Sequence, residues 1–504
     1  MLNCLIAAGG PVPEPVLVEA ARPNAHGAPA GLRPLSQFLN RGSAGVRLFH
    51  QSLADWLTNP DQSAQFAASI ADGHQRLAEA GWREYQSGVN RLSPYTLAHL
   101  PTHLAEANRW GNLLELLSRP EFGLIRRWVE QGGGDQGLAC LPGLIDFLDR
   151  HLRQPAMSAG LSTQLARVYS MRAQYDEADE ALRQALARTS WRQGRRARAV
   201  ALHELASLRL YRRQPVEAER LYSRALRLCV WGIPVHHDEA AANLIGLATV
   251  ANSTYRYRRG IRLASRAVRR ARRAGDLAHE IAGKRLVGAA CKALGQYTQA
   301  AMQFETALKL SGSCGAEVER GRLLLLRGHL DYDLAVLEEA PPPATVKLCF
   351  EEGLAVGERV HDVYGIMDAH VGLGMYALAL GATDEAAEHY RVVQDRLPGQ
   401  SHPDLASGLA LGLAAVAQQQ GHWQAAADTY EKLVETGDQT AYRGDRARAC
   451  VGLGAIAWHS NQRERAQTLW ARGSQIAASI SAARADLARH SILLCQSSRH
   501  AVPR

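Results

Sequence analysis

Long apolar runs are missing from this chain. No stretch reaches the ~18 apolar residues of a membrane-crossing helix. The longest candidate, LASGLALGLAAVA at 405–417, reads as a buried helix. The opening MLNCLIAAGGPVPEP has no basic segment before its apolar residues, so it makes a poor secretory signal. Cysteine is sparse: the 8 residues stand at 4, 140, 229, 291, 314, 349, 450 and 495. None form C-x-x-C and none have zinc-like spacing with histidine, so they read as small core residues in a reducing, cytoplasmic setting. Catalytic signatures are absent too: there is no nucleophile elbow, Cys/His dyad or glycine-rich nucleotide loop. The phosphate-loop pattern G-x-x-x-x-G-K-[ST] does not occur; HEIAGKRL (279–286) has Gly283 and Lys284 without the earlier glycine or a following Ser or Thr. The chain is therefore expected to be no enzyme, and to hold no metal or cofactor of its own.

What is present is helix-forming. The 504 residues exceed one hydrophobic core, so two or three folded units are expected. Hydrophobic residues make up 46% and charged residues 21%, ordinary for a globular chain without a membrane span. Ala, Leu and Arg are abundant, and they lose little rotamer freedom in a helix. The net charge of +9 admits an acidic partner without specifying one.

A repeat carries most of the information. LARVYSMRAQYDEADEALRQALA (165–187), VGAACKALGQYTQAAMQFETALK (287–309) and LGMYALALGATDEAAEHYRVVQD (373–395) align with one another, and four further segments join them. A small residue opens the second helix's packing face at Ala178, Ala218, Gly260, Ala300, Ala386, Ala426 and Ala466, in steps of 40, 42, 40, 86, 40 and 40. The long step holds a degenerate copy, TVKLCFEEGLAVGERV (345–360), after the insertion LEEAPPPA. On the first helix Leu precedes Ala or Gly at Leu165/Ala166, Leu205/Ala206, Leu373/Gly374 and Leu453/Gly454, where a small side chain admits a close neighbour. On the second helix, small, large and small residues fall four and then three apart, as in Ala300, Phe304 and Ala307, which puts them on one face. The Asp-Glu pairs at 176–177 and 384–385 follow the repeat and read as first-turn residues rather than catalytic carboxylates.

These segments resemble tetratricopeptide repeats over 155–480. The family period is about 34 residues; here it is 40, which lengthens each helix by nearly a turn. The resemblance implies an all-α fold: an α-α superhelix of about eight repeats, with a concave groove that holds a peptide or protein segment.

Ahead of the repeats, MLNCLIAAG, PEPVLVEAA and LRPLSQFLN read as three short helices, and RGSAGVRLFHQSLADWLT as a turn, a strand and a helix. Residues 1–60 thus look like a winged helix, 61–154 like a helical linker, and 481–504 like a terminal helix and tail. RLFHQSLADWL and YTLAHLPTHLAEANRW resemble the region behind the nucleotide-binding core of signal-transduction ATPases with numerous domains, a class that includes the NACHT and NB-ARC switches. The resemblance implies that His50 faces the β-phosphate of a bound nucleotide, provided that a separate or upstream domain supplies the missing phosphate loop. Read from the residues alone, His50 is a half-buried histidine at a strand–helix junction, satisfied by backbone.

Other clusters have bland readings beside the functional ones. RYRRGIRLASRAVRRARR (256–273) holds nine arginines and no acid. Arg258, Arg262, Arg266, Arg269 and Arg273 share one helix face, which suits phosphates or an acidic segment, or else simply water. PVHHDEAA (234–241) gathers two histidines and two acids, but neighbours in sequence do not share a helix face, so Asp238 reads as a helix cap. In HLPTH (99–103), Pro101 suggests a helix start between His99 and His103.

Groove positions are expected three before and one after the small residue of each first helix. They are Thr163, Arg167, His203, Ser207, Ile245, Thr249, Arg285 and Ala289, with Asn252 and Lys292 a turn further on. In the later repeats they are Val371, Met375, Leu411, Ala415, Val451 and Ala455. Arg167, His203, Asn252, Arg285 and Lys292 are the expected partner contacts, and a peptide with an acidic half and an apolar half would suit them. The favoured function is a non-enzymatic binding scaffold, the sensor half of a signalling ATPase. The alternative is a transcription regulator that binds DNA through the winged helix or the arginine face. Against it, LRPLSQFLN is poor in Arg and Lys for a recognition helix.

Overall fold

The computed structural model describes residues 1–8, 10–21, 33–42, 45–64, 67–87, 92–118, 134–171, 174–190, 192–231, 235–360, 362–396, 403–436 and 443–497. The chain divides into two compact units, Met1–Glu204 and Leu205–Arg504.

The first unit opens with α1 (Leu2–Ala8) and α2 (Glu14–Ala20), then a 3₁₀ turn at Arg33–Phe38 and a hairpin of β1 (Leu39–Gly42) and β2 (Gly45–Leu48). The strands are antiparallel, with Leu39 opposite Leu48, and both leucines pack on a small core of Cys4, Leu5, Val12, Leu17, Val46 and Leu77. This corrects the expected third helix. The pull of Leu39 into that core, and the backbone pairing it gains there, turn the end of LRPLSQFLN into a strand. Then come α3 (Gln51–Thr58), α4 (Pro60–Ser63), α5 (Ile70–Gln86), α6 (Pro94–Glu106), α7 (Trp110–Ser118) and α8 (Gly134–Phe147). Pro101 lies inside α6 rather than at its start. The helix is opened instead by Ser93, whose hydroxyl accepts from the Thr96 N–H, with Pro94 at the first position. The repeats begin with α9 (Pro155–Met171) and α10 (Tyr175–Arg188).

α11 (Arg195–Tyr211) carries the boundary between the units, and α12 (Pro215–Val230) completes its pair. The second unit continues in pairs: α13 (His237–Ser253) with α14 (Tyr257–Ala274), α15 (Leu277–Ala293) with α16 (Tyr297–Cys314), and α17 (Glu317–Leu337) with α18 (Ala344–Val360). Then follow α19 (Val363–Ala379) with α20 (Thr383–Arg396), α21 (Pro403–Gln419) with α22 (Trp423–Thr436), and α23 (Arg443–His459) with α24 (Arg463–Ile480). α25 (Ala482–Ser497) ends the series, so among the described residues eight helix pairs and one further helix follow residue 154.

The repeat's anchors explain the stacking. Ala218, Ala300, Ala386 and Ala466 are fully buried, and the degenerate copy keeps the pattern with Val346, Phe350 and Gly353. The large residue four places on is usually aromatic, and glycines receive it. A Cβ on Gly328 or Gly372 would come within 2.9 or 2.4 Å of the Phe350 ring, and one on Gly374 or Gly412 within 2.6 or 2.2 Å of Tyr390. Gly374 lies on the first helix of the same repeat and Gly412 on that of the next. One ring thus joins three helices, and each small residue is the space the ring occupies. Tight turns between paired helices use left-handed residues: Gly295, Gly381 and Gly421, with Tyr255 and Asn461 at related turns.

The second unit closes on itself. The Arg443 N–H donates to the Tyr255 hydroxyl at 3.1 Å, and the Ser481 hydroxyl donates to the Ala293 carbonyl at 2.6 Å. α25 packs against α17, α23 and α24. The last repeat therefore reaches the third and fourth, and the inward sides of the first helices face a common interior. No helix among the described residues is long and apolar enough to cross a membrane.

Candidate functional site

The inner face is built from charged residues on the first helices. Lys292 near the end of α15 meets Asp333 on α17 at 2.8 Å, both side chains being largely buried. Arg285 on α15 holds Glu319 on α17 at 2.7 Å, and His329 on α17 stands 3.4 Å from Asp368 on α19. Each link joins the first helix of one repeat to that of the next. In the first unit, Arg167 on α9 makes the same kind of link to Glu204 on α11, at 2.6 Å. A basic side chain one repeat before an acid thus recurs in each unit.

These pairs neutralise most of the expected basic groove. Arg167, Arg285 and Lys292 all have acidic partners that sequence reasoning passed over: Glu204, Glu319 and Asp333. The usable signal was an acid 34–41 residues after each cation. His203 is half-buried on α11. Asn252 sits between helices: its amide donates to the Leu286 carbonyl at 3.3 Å, while its carbonyl oxygen is buried beside Gly260 with no hydrogen-bond partner among the described residues. Positions three before the small residue also turn sideways. Thr163 is 1% exposed and donates to the Ala159 carbonyl, and Val371 and Val451 are core residues. The apolar late groove is therefore packing between repeats, because a first helix touches a neighbour on each side and leaves only a narrow stripe facing inward.

The stripe that remains is cationic. Arg448 on α23 pairs with Asp445 at 2.5 Å yet keeps 54% of its side-chain surface. Asp333 and Tyr390, from other helices, lie within electrostatic reach of it. Arg484 on α25 acts on both Lys292 and Asp333. Burial pulls the Lys292 ammonium below its ordinary range, against the opposing pull of Asp333. Burial works to raise Asp333, but Lys292 and Arg484 together hold it below the usual carboxylate range. Burial pushes the Tyr332 phenol up to about 12. Three cations (Lys292, Arg448, Arg484) thus face two carboxylates (Asp333, Asp445), and the surplus positive charge borders water inside the second unit.

His50 lies elsewhere, in the first unit. It caps α3: its Nδ1 accepts from the Ser52 N–H at 3.2 Å and lies 2.5 Å from the Ser52 hydroxyl, and the side chain is exposed rather than half-buried. His99 and His103 belong to a different cluster. His103 Nδ1 lies 3.0 Å from His74 Nδ1, and its Nε2 lies 3.1 Å from the Tyr95 hydroxyl. At the start of α13 His236, without a side-chain cap bond, holds the cap position expected for Asp238, which falls in the first turn with Glu239. His237 turns away to Arg270 at 2.9 Å. Among the described residues no group of three His, Cys, Asp or Glu is placed to hold a metal.

The arginine face is as expected from its spacing. Arg258, Arg262, Arg266, Arg269 and Arg273 are all exposed on α14. The other four arginines of that run have partners: Arg256 and Arg259 on Glu219, Arg270 on His237 and Arg272 on Glu280.

No protein-family model matches the sequence. No curated protein matches it either. Among solved structures, the chain is similar to a Rap protein complexed with Competence and Sporulation Factor, with TM-score 0.53 and 12% identity over 71% of this chain and 96% of that one. It is also similar to a tetratricopeptide repeat protein from Parabacteroides merdae, with TM-score 0.36 and 18% identity over 59% of this chain and 98% of that one. A third is the signal-transduction ATPase with a tetratricopeptide repeat sensor from Pyrococcus horikoshii, with TM-score 0.44 and 12% identity. The match covers 93% of this chain and spans 64% of that ATPase's length. At such identities the likeness is one of fold: an all-α superhelix of tetratricopeptide type.

Proposed function

We propose that this chain is a non-enzymatic scaffold that holds a peptide or protein segment against the inner face of its second unit, and that it serves as the sensor half of a signalling ATPase. The observation that carries the reading is the cationic interior: Arg448, half exposed to water, stands among charged groups from several repeats. An acidic stretch of peptide would gain charge-assisted hydrogen bonds there without breaking the Lys292–Asp333 pair. Support comes from the Rap protein of similar fold, whose structure was solved with a factor bound. The order helix, helix, hairpin, helix in residues 1–58 supports the sensor-half part of the reading, and His50 stands at the end of that hairpin. Sequencing the locus tests that part: a phosphate-loop domain encoded in frame ahead of residue 1 is expected, and its absence would count against the sensor-half reading.

The test uses fluorescein-labelled peptides with an acidic half and an apolar half, titrated by anisotropy against the full chain. Binding is expected, with a loss of at least about tenfold on Arg448→Glu, the scale of a lost charged hydrogen bond. Unchanged binding by the folded variant would count against the inner face as the site.

A further inference from the structure

We infer that the outer face of α12 and α14 is a second binding surface, one that takes the phosphate backbone of a nucleic acid. It stands apart from the inner-face reading and does not depend on it. Of the 58 basic residues in the chain only five are lysines, so its cationic surface is made of guanidinium groups, which match phosphate oxygens two bonds at a time.

The five arginines on α14 do not stand alone. α12 presents Arg220, Arg224 and Arg227, all exposed, from the neighbouring repeat. The repeat step between these two helices is 42, from Ala218 to Gly260 and from Ala225 to Ala267, all four fully buried or at the packed anchor position. The same step carries Arg220 to Arg262, Arg224 to Arg266 and Arg227 to Arg269. The arginines therefore form two rows in register. Along a row, successive guanidinium groups rise by about 4.5–6 Å, and the reach of Arg256 and Arg259, at the start of α14, to Glu219 on α12 makes the two helices neighbours.

The rows are uncompensated. α12 has two acids, and both are engaged by other arginines: Glu217 with Arg209 at 3.2 Å, and Glu219 with Arg256 and Arg259 at 2.6 and 2.5 Å. α14 has none. Among the described residues, none of the eight row arginines makes an ion pair. The surface stops at the next repeat, where the corresponding positions are Met302, Thr306 and Lys309, and Lys309 is paired with Glu305. Beyond Arg227, Trp231 is 72% exposed, a ring on which a base can stack. The density of unpaired guanidinium groups at a regular rise favours a phosphate backbone, whose charges repeat along the strand.

The test measures anisotropy of a labelled 30-base-pair duplex DNA and a 30-nucleotide RNA with the full chain over a series of salt concentrations. Binding to at least one is expected, with log K falling linearly in log salt. On duplex DNA the slope should approach about −7 if all eight arginines meet phosphates. The triple variants Arg220→Glu/Arg224→Glu/Arg227→Glu and Arg262→Glu/Arg266→Glu/Arg269→Glu should each lose at least tenfold and flatten the slope by about 3. Arg391→Glu, an exposed arginine elsewhere, should change nothing. The corresponding Arg→Gln triples give the same reading should a reversal variant fail to fold, as judged by circular dichroism. The inference is overturned if neither nucleic acid binds, if both triples bind like the parent, or if the rows are needed only for poly-glutamate or for anionic phospholipid vesicles.

Discussion

His103 shows how much one buried side chain can reveal. It is 3% exposed, with His74 against one ring nitrogen and the Tyr95 hydroxyl near the other. Burial, helped by the neighbouring His74 and His99, depresses its pKa from 6.5 to about 3. Between those values the unfolded chain binds a proton that the folded chain refuses. Stability is therefore whole above pH 6.5 and falls as the pH drops toward 3. The slope is about 1.4 kcal/mol per pH unit for such a group, or about 2 kcal/mol between pH 6.5 and 5. His74 and His99, also shifted down by burial, act in the same direction. Urea unfolding of His103→Gln should lose less stability between pH 7 and pH 5 than the parent does. An equal loss in both would remove His103 as the cause. His50, by contrast, caps a helix, and that role needs only the residue two places on.

Among the elements, the helix pair gains its geometry from a ring and two glycines. Tyr390 on α20 fills the space above Gly374 on α19 and Gly412 on α21. Gly412→Ala puts a methyl group 2.2 Å from the ring, so the ring or a helix must shift. We expect a loss of about 1–3 kcal/mol, the usual cost of overpacking, read by chemical denaturation. Gly444, with open space beside it, is the control and should tolerate Ala at little cost. Half of this motif was legible in sequence: Leu373/Gly374 recurs at a fixed place, and the large residue recurs four after Ala386. The other half, the glycine two places earlier on the next repeat, was hidden. It serves the preceding repeat's ring, and a single-copy alignment does not show which ring a glycine receives. LRPLSQFLN misled for a related reason: its apolar spacing suits a short helix, and only the opposing Leu48 makes a strand of its end.

In the second unit taken whole, closure is the feature that matters most. Ser481 bonds Ala293, and Arg443 bonds Tyr255, each pair 188 residues apart in sequence. α25 thus holds the last repeat against the fourth. Ending the chain at Ile480 should raise amide hydrogen exchange in residues 290–296, because Gly295 loses the cover of Ala483 and Ala293 loses its side-chain donor. Unchanged protection there would show that the closure holds without α25. The sequence by itself determined the helical pairs, their 40-residue step, their buried anchors and the exposed arginine row, because each of these is a local periodicity. Spacing along one helix fixes which residues share a face. Only the tertiary structure decided what the inward residues do. Arg285 and Lys292 look like waiting contacts until Glu319 and Asp333 are seen one repeat away. The surplus charge of Arg448 and Arg484 appears only when the superhelix brings α23 and α25 back to α15 and α17. Such meetings depend on small rotations summed over several repeats, and no short stretch of sequence contains that sum.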